Sequence, residues 1–309
     1  MPTEGSRNRR SLLGLGVGAA LAAVPAVSGP AHAASGVRER GRAAGVVRAL
    51  ATLEREHAAR LGVFARNMVT GARVSYRAGE LFPICSVHKV VTAAAVLRDL
   101  DRDGEFLARR VRYGPRDVAD SGYGPVTGTA EHLADGMTIA ELCAATIQYS
   151  DNAADNLLLR ELGGPTAITR FCRSLGDRVT RLDRWEPALN FAEPGRVTDT
   201  TNPAAFAYTL TGLLLGEVLT PRDRHRLTVW MRGNTTGAAR LRAGLPPDWT
   251  LADKTGTGDR GTTNDAGVAW TADGTPVVLS VLSTRSHPDS AADELLLART
   301  ATLLAAAIG

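Results

Sequence analysis

Apolar alternation with a period of two appears near both ends of this chain, and helical spacing fills the long region between. Leu61-Gly62-Val63-Phe64-Ala65-Arg66-Asn67 and Ala72-Arg73-Val74-Ser75-Tyr76, separated by Thr70-Gly71, read as a hairpin. Far downstream, segments 249–255, 264–270 and 276–282 read as three more strands joined by tight turns. Residues 36–60 and about 290–308 read as helices, and helical patterns dominate from about 138 to 231. Strands so far apart reach one another in one antiparallel sheet, built from both termini and covered by the terminal helices. The fold class is therefore α+β with an inserted all-α domain. Residues 34–83 and 232–309 would form the α/β domain, and 84–231 the all-α domain, with a ligand cleft between them.

The first 33 residues read as an export segment. Arg7, Arg9 and Arg10 precede an apolar, Gly-rich run over 11–24, and Ala31-His32-Ala33 supplies a small-x-small cleavage site. Arg9-Arg10 followed by Ser-Leu-Leu resembles a twin-arginine signal. No cysteine stands at the cleavage site, which argues against a lipoprotein. Removal of three Arg and one Glu with this segment takes the net charge from +4 to +2. That charge is mild, and no basic run is interleaved with aromatics, so nucleic-acid binding is not expected. The expected mature protein is a secreted monomer without a membrane segment.

Three cysteines, Cys85, Cys143 and Cys172, form no evident framework, and whether Cys143 and Cys172 meet stays open. There is no CxxC or HExxH pattern, so neither a metal nor a cofactor is expected.

Four polar clusters carry chemical meaning. Ser86-Val87-His88-Lys89 opens an Ala/Val/Leu-rich run that reads as a helix. Residues three apart share a helix face, so a hydroxyl and an amine can meet there. The unpaired N–H groups at the helix start add an oxyanion site. Ser150-Asp151-Asn152 lies between helical runs, where such a triplet is usually a turn or a cap. Lys254-Thr255-Gly256-Thr257-Gly258 lies on a strand, its glycines marking a bulge or a close approach. Arg184-Trp185-Glu186-Pro187-Ala188-Leu189-Asn190 sits in the long aperiodic stretch Leu182 to Asp199, and loops of that length are often functional. Each cluster alone is weak. Their order and joint spacing are not.

From about residue 45 onwards these motifs resemble the class A serine β-lactamases, in which Ser-x-x-Lys, Ser-Asp-Asn and Lys-Thr-Gly recur. Asp135-Gly136-Met137-Thr138, Arg181 to Pro187 and Asp199-Thr200-Thr201 extend the resemblance. It implies hydrolysis of penicillins and some cephalosporins, small-molecule β-lactams, giving antibiotic resistance. Carried onto this chain, it makes Ser86 the nucleophile, with Lys89 or Glu186 as acylation base. Ser150 would relay a proton to the lactam nitrogen. Glu186 and Asn190 would hold and activate the hydrolytic water. The N–H groups of Ser86 and Thr257 would form the oxyanion hole. Lys254, Thr255, Gly256 and Thr257 would line the carboxylate site, Asn152 would bind the side-chain amide, and Tyr123 would wall the entrance. A cis Glu186–Pro187 bond and an Arg184–Asp199 clamp are also implied; the clamp, if exposed, is worth roughly 0–1 kcal/mol. Should Lys254 lie near Lys89, like charge would favour a neutral Lys89.

Three departures stand out. Thr263 occupies a strand position where many members carry an Arg, and Arg240 resembles the alternative carboxylate anchor of some actinobacterial members, with Arg242 structural. His88 replaces a usual aromatic and reads as a packed neighbour. Cys85 lacks a partner, because Gly258 stands where some broad-spectrum members need a second cysteine. The alternative readings are a D-Ala-D-Ala carboxypeptidase or transpeptidase, in which Glu186 would be dispensable, and a non-catalytic β-lactam sensor.

Overall fold

A computed structural model describes residues 44–309. The expected export segment at 1–33 and residues 36–43 of the expected helix 36–60 lie outside the described residues. A helix over 44–56 leads into strand β1 (Ala59–Asn67), which turns back as β2 (Arg73–Tyr76). After the helical middle come β3 (Thr250–Gly258), β4 (Thr262–Trp270) and β5 (Pro276–Arg285), and the helix Glu294–Ile308 closes the chain. The sheet order is β2-β1-β5-β4-β3, with the four pairings antiparallel. The last strand thus lies beside the first, and the sheet is sealed by both ends of the chain, as the patterning predicts.

Both faces of the sheet are buried, and alternation assigns each side chain to a face. Val277, Leu279 and Val281 of β5 face the terminal helices, together with Leu50, Leu53, Leu297 and Leu304. Val278, with Ala252, Ala266 and Val268, faces a second core built from the helical middle. The helix Pro203–Leu214 lies against β1, β4 and β5. Asn202 caps it by accepting from Ala205 N–H at 2.7 Å, and Pro203 occupies its first turn.

Of the two readings open for the glycines after Lys254, the fold chooses one. The stretch through Lys254-Thr255-Gly256-Thr257-Gly258 contains no bulge; it stays in register, with Gly256 opposite Asn264 and Gly258 opposite Thr262. The glycines serve close approach instead. A Cβ at Gly256 would lie 3.2 Å from Cys85 Cβ, and one at Gly258 would lie 2.7 Å from both Cys85 Sγ and the Asn190 carbonyl oxygen. The polar stretch after residue 100 also holds short helices, Glu105–Ala108, Pro115–Ser121 and Ala130–Asp135, which its composition does not announce. All three cysteines are free and buried. Burial pushes the Cys172 thiol up to about 12 and those of Cys85 and Cys143 higher still, so they are packing groups and not nucleophiles.

Phe206 is fully buried in the core beneath the sheet. Phe206→Ala should lower unfolding free energy by about 3–5 kcal/mol, read from urea denaturation. A loss under about 1 kcal/mol would mean that this core collapses around the gap.

Candidate active site

Ser86 lies in the single helical turn Cys85–His88, and Lys89 begins the helix Lys89–Ala95 that continues it. The turn is fixed from the sheet side, where Asn264 donates to the carbonyls of Pro83 (2.9 Å) and Ile84 (3.2 Å). Cys85 has left-handed backbone (φ 44°), and so does Ser150 (φ 58°). Such residues persist only where their surroundings hold them.

Lys89 is wholly buried and faces three oxygens. It donates to the Ser150 carbonyl at 2.8 Å and to Asn152 Oδ1 at 2.6 Å, and its ammonium lies 3.0 Å from Glu186 Oε1. Asn152 donates its own amide to the Ser121 carbonyl at 3.1 Å. Asp151 caps the helix Asn152–Leu162 through Ala154 N–H and also accepts from Val126 N–H, Thr127 N–H and the Thr127 hydroxyl. The triplet is a cap, as such triplets usually are, and the cap locks its neighbours in place.

Lys254 reaches across from β3, donating to Ser150 Oγ at 3.0 Å and to the Thr255 carbonyl at 2.9 Å. Ser150 therefore bridges the two lysines. The like-charge effect acts on Lys254. Burial, then the charges of Lys89 and Arg240, push its pKa well below the ordinary lysine value. Thr255 shares a hydrogen bond with Thr236 at 2.5 Å. Arg240 is buried against the carbonyls of Gly256 and Asn264 and donates to Thr257 Oγ1 at 2.7 Å. Thr263 turns its hydroxyl to the Gly261 carbonyl and to Asp293 N–H, away from any ligand role. Arg242 pairs with buried Asp253 at 2.6 Å, as a structural residue would. Tyr123 is 52% exposed, and its carbonyl accepts from Asn152 N–H at 2.9 Å.

Glu186 comes from the long loop. The Glu186–Pro187 bond is cis. Asn190 donates to Glu186 Oε2 at 2.5 Å, and the Asn190 carbonyl accepts from Asp259 N–H at 3.1 Å, docking the loop on the end of β3. Asn156 grips the backbone on both sides of Glu186, accepting from its N–H at 3.1 Å and donating to its carbonyl at 3.0 Å. The sequence reading misses Asn156, although its spacing of four from Asn152 on one helix was a usable signal. Thr236 and Asn264 are missed too, with no comparable signal. The loop's two limbs are tied at Asp199, which takes Arg184 Nε at 2.5 Å and the N–H groups of Asp183 and Arg184. Asp199 is 1% exposed, so this clamp is no surface pair. A separate cavity of about 790 Å³ opens on the loop's other side, lined by Arg60, Phe82, Phe191 and Val197, and includes neither the serine nor either lysine.

Chemically, a serine on the turn that leads into buried Lys89, with Glu186 held against that lysine on a tied loop and Lys254 joined to it through Ser150, can form an acyl ester and deliver water to it. Comparison with known proteins places this geometry. Residues 45–307 match the family described as the beta-lactamase enzyme family. A β-lactamase of Streptomyces fradiae is 61% identical over 306 residues, 99% of this chain and 98% of that protein. The solved structure of a β-lactamase from Streptomyces albus G matches with a TM-score of 0.85 at 58% identity, over 86% of this chain and 100% of that one. A variant of the last common ancestor of Gram-negative bacteria β-lactamase class A matches at 0.81 and 52% identity, over 85% of this chain and 98% of that one. The chain belongs to the β-lactamase enzyme family, within its class A.

Asp199→Ala leaves two backbone donors and Arg184 Nε without their acceptor, while Glu193 keeps the rest of the guanidinium. It should cost about 1–3 kcal/mol in denaturant titration. An unchanged midpoint would show that the loop is held elsewhere.

Proposed function

We propose that this chain hydrolyses the amide bond of penicillins, and of some cephalosporins, through an ester on Ser86. Ser86 Oγ attacks the lactam carbonyl carbon. Its proton passes through a water to Glu186, or to Lys89 once the Lys89 ammonium has given a proton to Glu186 across the 3.0 Å between Nζ and Oε1. The carbonyl oxygen takes the electron pair and is held by the N–H groups of Ser86 and Thr257. One such donor is typically worth roughly 2.7–4 kcal/mol. When the C–N bond breaks, Ser150 gives its proton to the nitrogen and is resupplied from Lys254, whose Nζ donates to its Oγ. Lys254, Thr255, Gly256 and Thr257, with Arg240 behind them, draw in the substrate's carboxylate. Asn152 takes the side-chain amide, and Tyr123 walls the entrance.

Release is a separate task. A water held by Glu186 and Asn190 loses its proton to Glu186 and attacks the ester carbon, and Ser86 Oγ leaves with a proton. The observation that carries this reading is the position of Glu186. It is buried, tied to Asn190 and Lys89, and its backbone is gripped by Asn156. Such a base distinguishes a hydrolase from a protein that traps its ligand. The substrate channel is the cleft between the α/β part, 34–83 and 232–309, and the helical part, 84–231. The enzyme acts as an exported monomer after loss of residues 1–33, without metal or cofactor. Among the described residues no helix is long and apolar enough to cross a membrane.

Purified protein should turn over nitrocefin, and Ser86→Ala should abolish it. In Glu186→Ala, deacylation should slow far more than acylation, and mass spectrometry should find a stable penicilloyl adduct. Rapid clearance of that adduct would remove Glu186 from its role. Turnover of a D-Ala-D-Ala peptide with dispensable Glu186 would make the chain a carboxypeptidase. One-equivalent labelling of unmutated protein without turnover would make it a sensor.

The lowered pKa of Lys254 gives a pH dependence. Lys254 is cationic below that pKa and loses its charge as pH rises through it. KM for benzylpenicillin should therefore climb as pH rises through it, well below the pH at which an ordinary lysine titrates. A flat KM would mean that Arg240 alone draws the carboxylate.

A further inference from the structure

His88 stands between Ser86 and Lys89, yet the acyl-transfer steps make no use of it. It is fully buried. Its Nδ1 lies 2.7 Å from the Cys85 carbonyl oxygen, and its Nε2 lies 2.9 Å from Asp155 Oδ2. Both neighbours are acceptors. A neutral imidazole has one N–H and one lone pair, so either tautomer beside a carboxylate turns a lone pair onto an oxygen. The geometry is satisfied when one extra proton is shared between Nε2 and Oδ2 while Nδ1–H donates to the carbonyl.

The surroundings favour the cationic ring. His88, Asp155 and Glu186 each bring a donor atom within 4.8 Å of the others. The charged groups facing the pair are Lys89 on its own segment and Glu186 from the loop, while the Cys143 thiol, kept neutral by burial, faces Asp155 from the neighbouring helix. Two carboxylates against Lys89 alone leave one buried negative charge in excess, and an imidazolium balances it. Burial opposes that charge, but Asp155 and then Glu186 outweigh it and hold the His88 pKa above the ordinary histidine value.

The grip has a direct consequence. The Cys85 carbonyl and the Ser86 N–H belong to one planar peptide, and Glu186–Pro187 is the cis bond of the described chain, so this one is trans. In a trans peptide the two groups point in opposite directions, so anchoring the carbonyl aims the N–H. A charged donor makes the stronger bond and polarises the peptide, improving the N–H as a donor. We propose that His88, held by Asp155, is a positioning residue: in its doubly protonated form it anchors the Cys85–Ser86 peptide and so sets the oxyanion hole. This rests on the role given above to the Ser86 N–H.

The test pairs 15N NMR of the imidazole in the intact protein with stopped-flow acylation by nitrocefin across pH. At neutral pH both ring nitrogens of His88 should carry protons. The acylation rate should fall as pH rises through the His88 titration. His88→Phe should acylate roughly tenfold more slowly at neutral pH, part of the loss seen when an oxyanion donor is removed, with substrate affinity little changed and that limb of the profile flattened. His88→Asn, which keeps an N–H near the Nδ1 position, should recover part of the rate. A single protonated nitrogen at neutral pH, or wild-type acylation and profile in His88→Phe, overturns the proposal. If His88→Phe does not fold, the wild-type titration set against the wild-type acylation profile decides: coincidence supports the proposal and divergence overturns it. The proposed function fails separately, by turnover surviving in Ser86→Ala.

Discussion

The buried contact between Lys89 and Glu186 is what the rest of the site depends on. Two opposite charges are withdrawn from water at 3.0 Å, with both side chains inaccessible. Desolvation of this kind costs several kcal/mol per ion and is offset only when the remaining valences are filled. Lys89 has the Ser150 carbonyl and Asn152 Oδ1, and Glu186 Oε2 has Asn190, which leaves Glu186 Oε1 to Lys89 alone. The contact therefore needs the serine turn, the Ser-Asp-Asn turn and the long loop to be placed together. Misplacing one leaves a charge buried without a partner.

Much of the surrounding apparatus supplies that placement. Asp151 fixes the turn, Asn156 fixes the backbone of Glu186, and Asn264 fixes the chain leading into Ser86. The sheet contributes a second cation, Lys254, whose neighbours make it costly to keep charged. Ser150, with its left-handed backbone, is where the two lysines meet. A strained residue is tolerable there because hydrogen bonds hold it from both sides.

The sequence makes the large plan and the four clusters legible for a physical reason. Strand and helix periodicities are local, and the motif residues are spaced along single elements. The sheet drawn from both ends, the cap at Asp151 and the loop between Leu182 and Asp199 all follow from such patterns. The supporting contacts are not local. Thr236 against Thr255, Asn264 against Pro83 and Ile84, and His88 against Asp155 join residues far apart in the chain. His88 reads as a packed neighbour from sequence, which is right about its burial and silent about its charge. The glycines after Lys254 show the ambiguity of a lone residue type, since bulge and close approach leave the same trace and only the fold chooses.

The tie at Asp199 also bears on how this protein can change. Because the clamp joins the loop's limbs at their base, and Asn156 and Asn190 fix Glu186 near one limb, residues 191–198 form a side excursion pinned at its ends, within which Glu193 alone sends a side chain back to Arg184. Phe191 and Val197 there are about half exposed. Doubling such a segment adds only about 0.6 kcal/mol of closure entropy. Latitude for change is therefore concentrated within a few residues of Glu186, and the loop's outer face can be remodelled while the carboxylate proposed to activate water keeps its address.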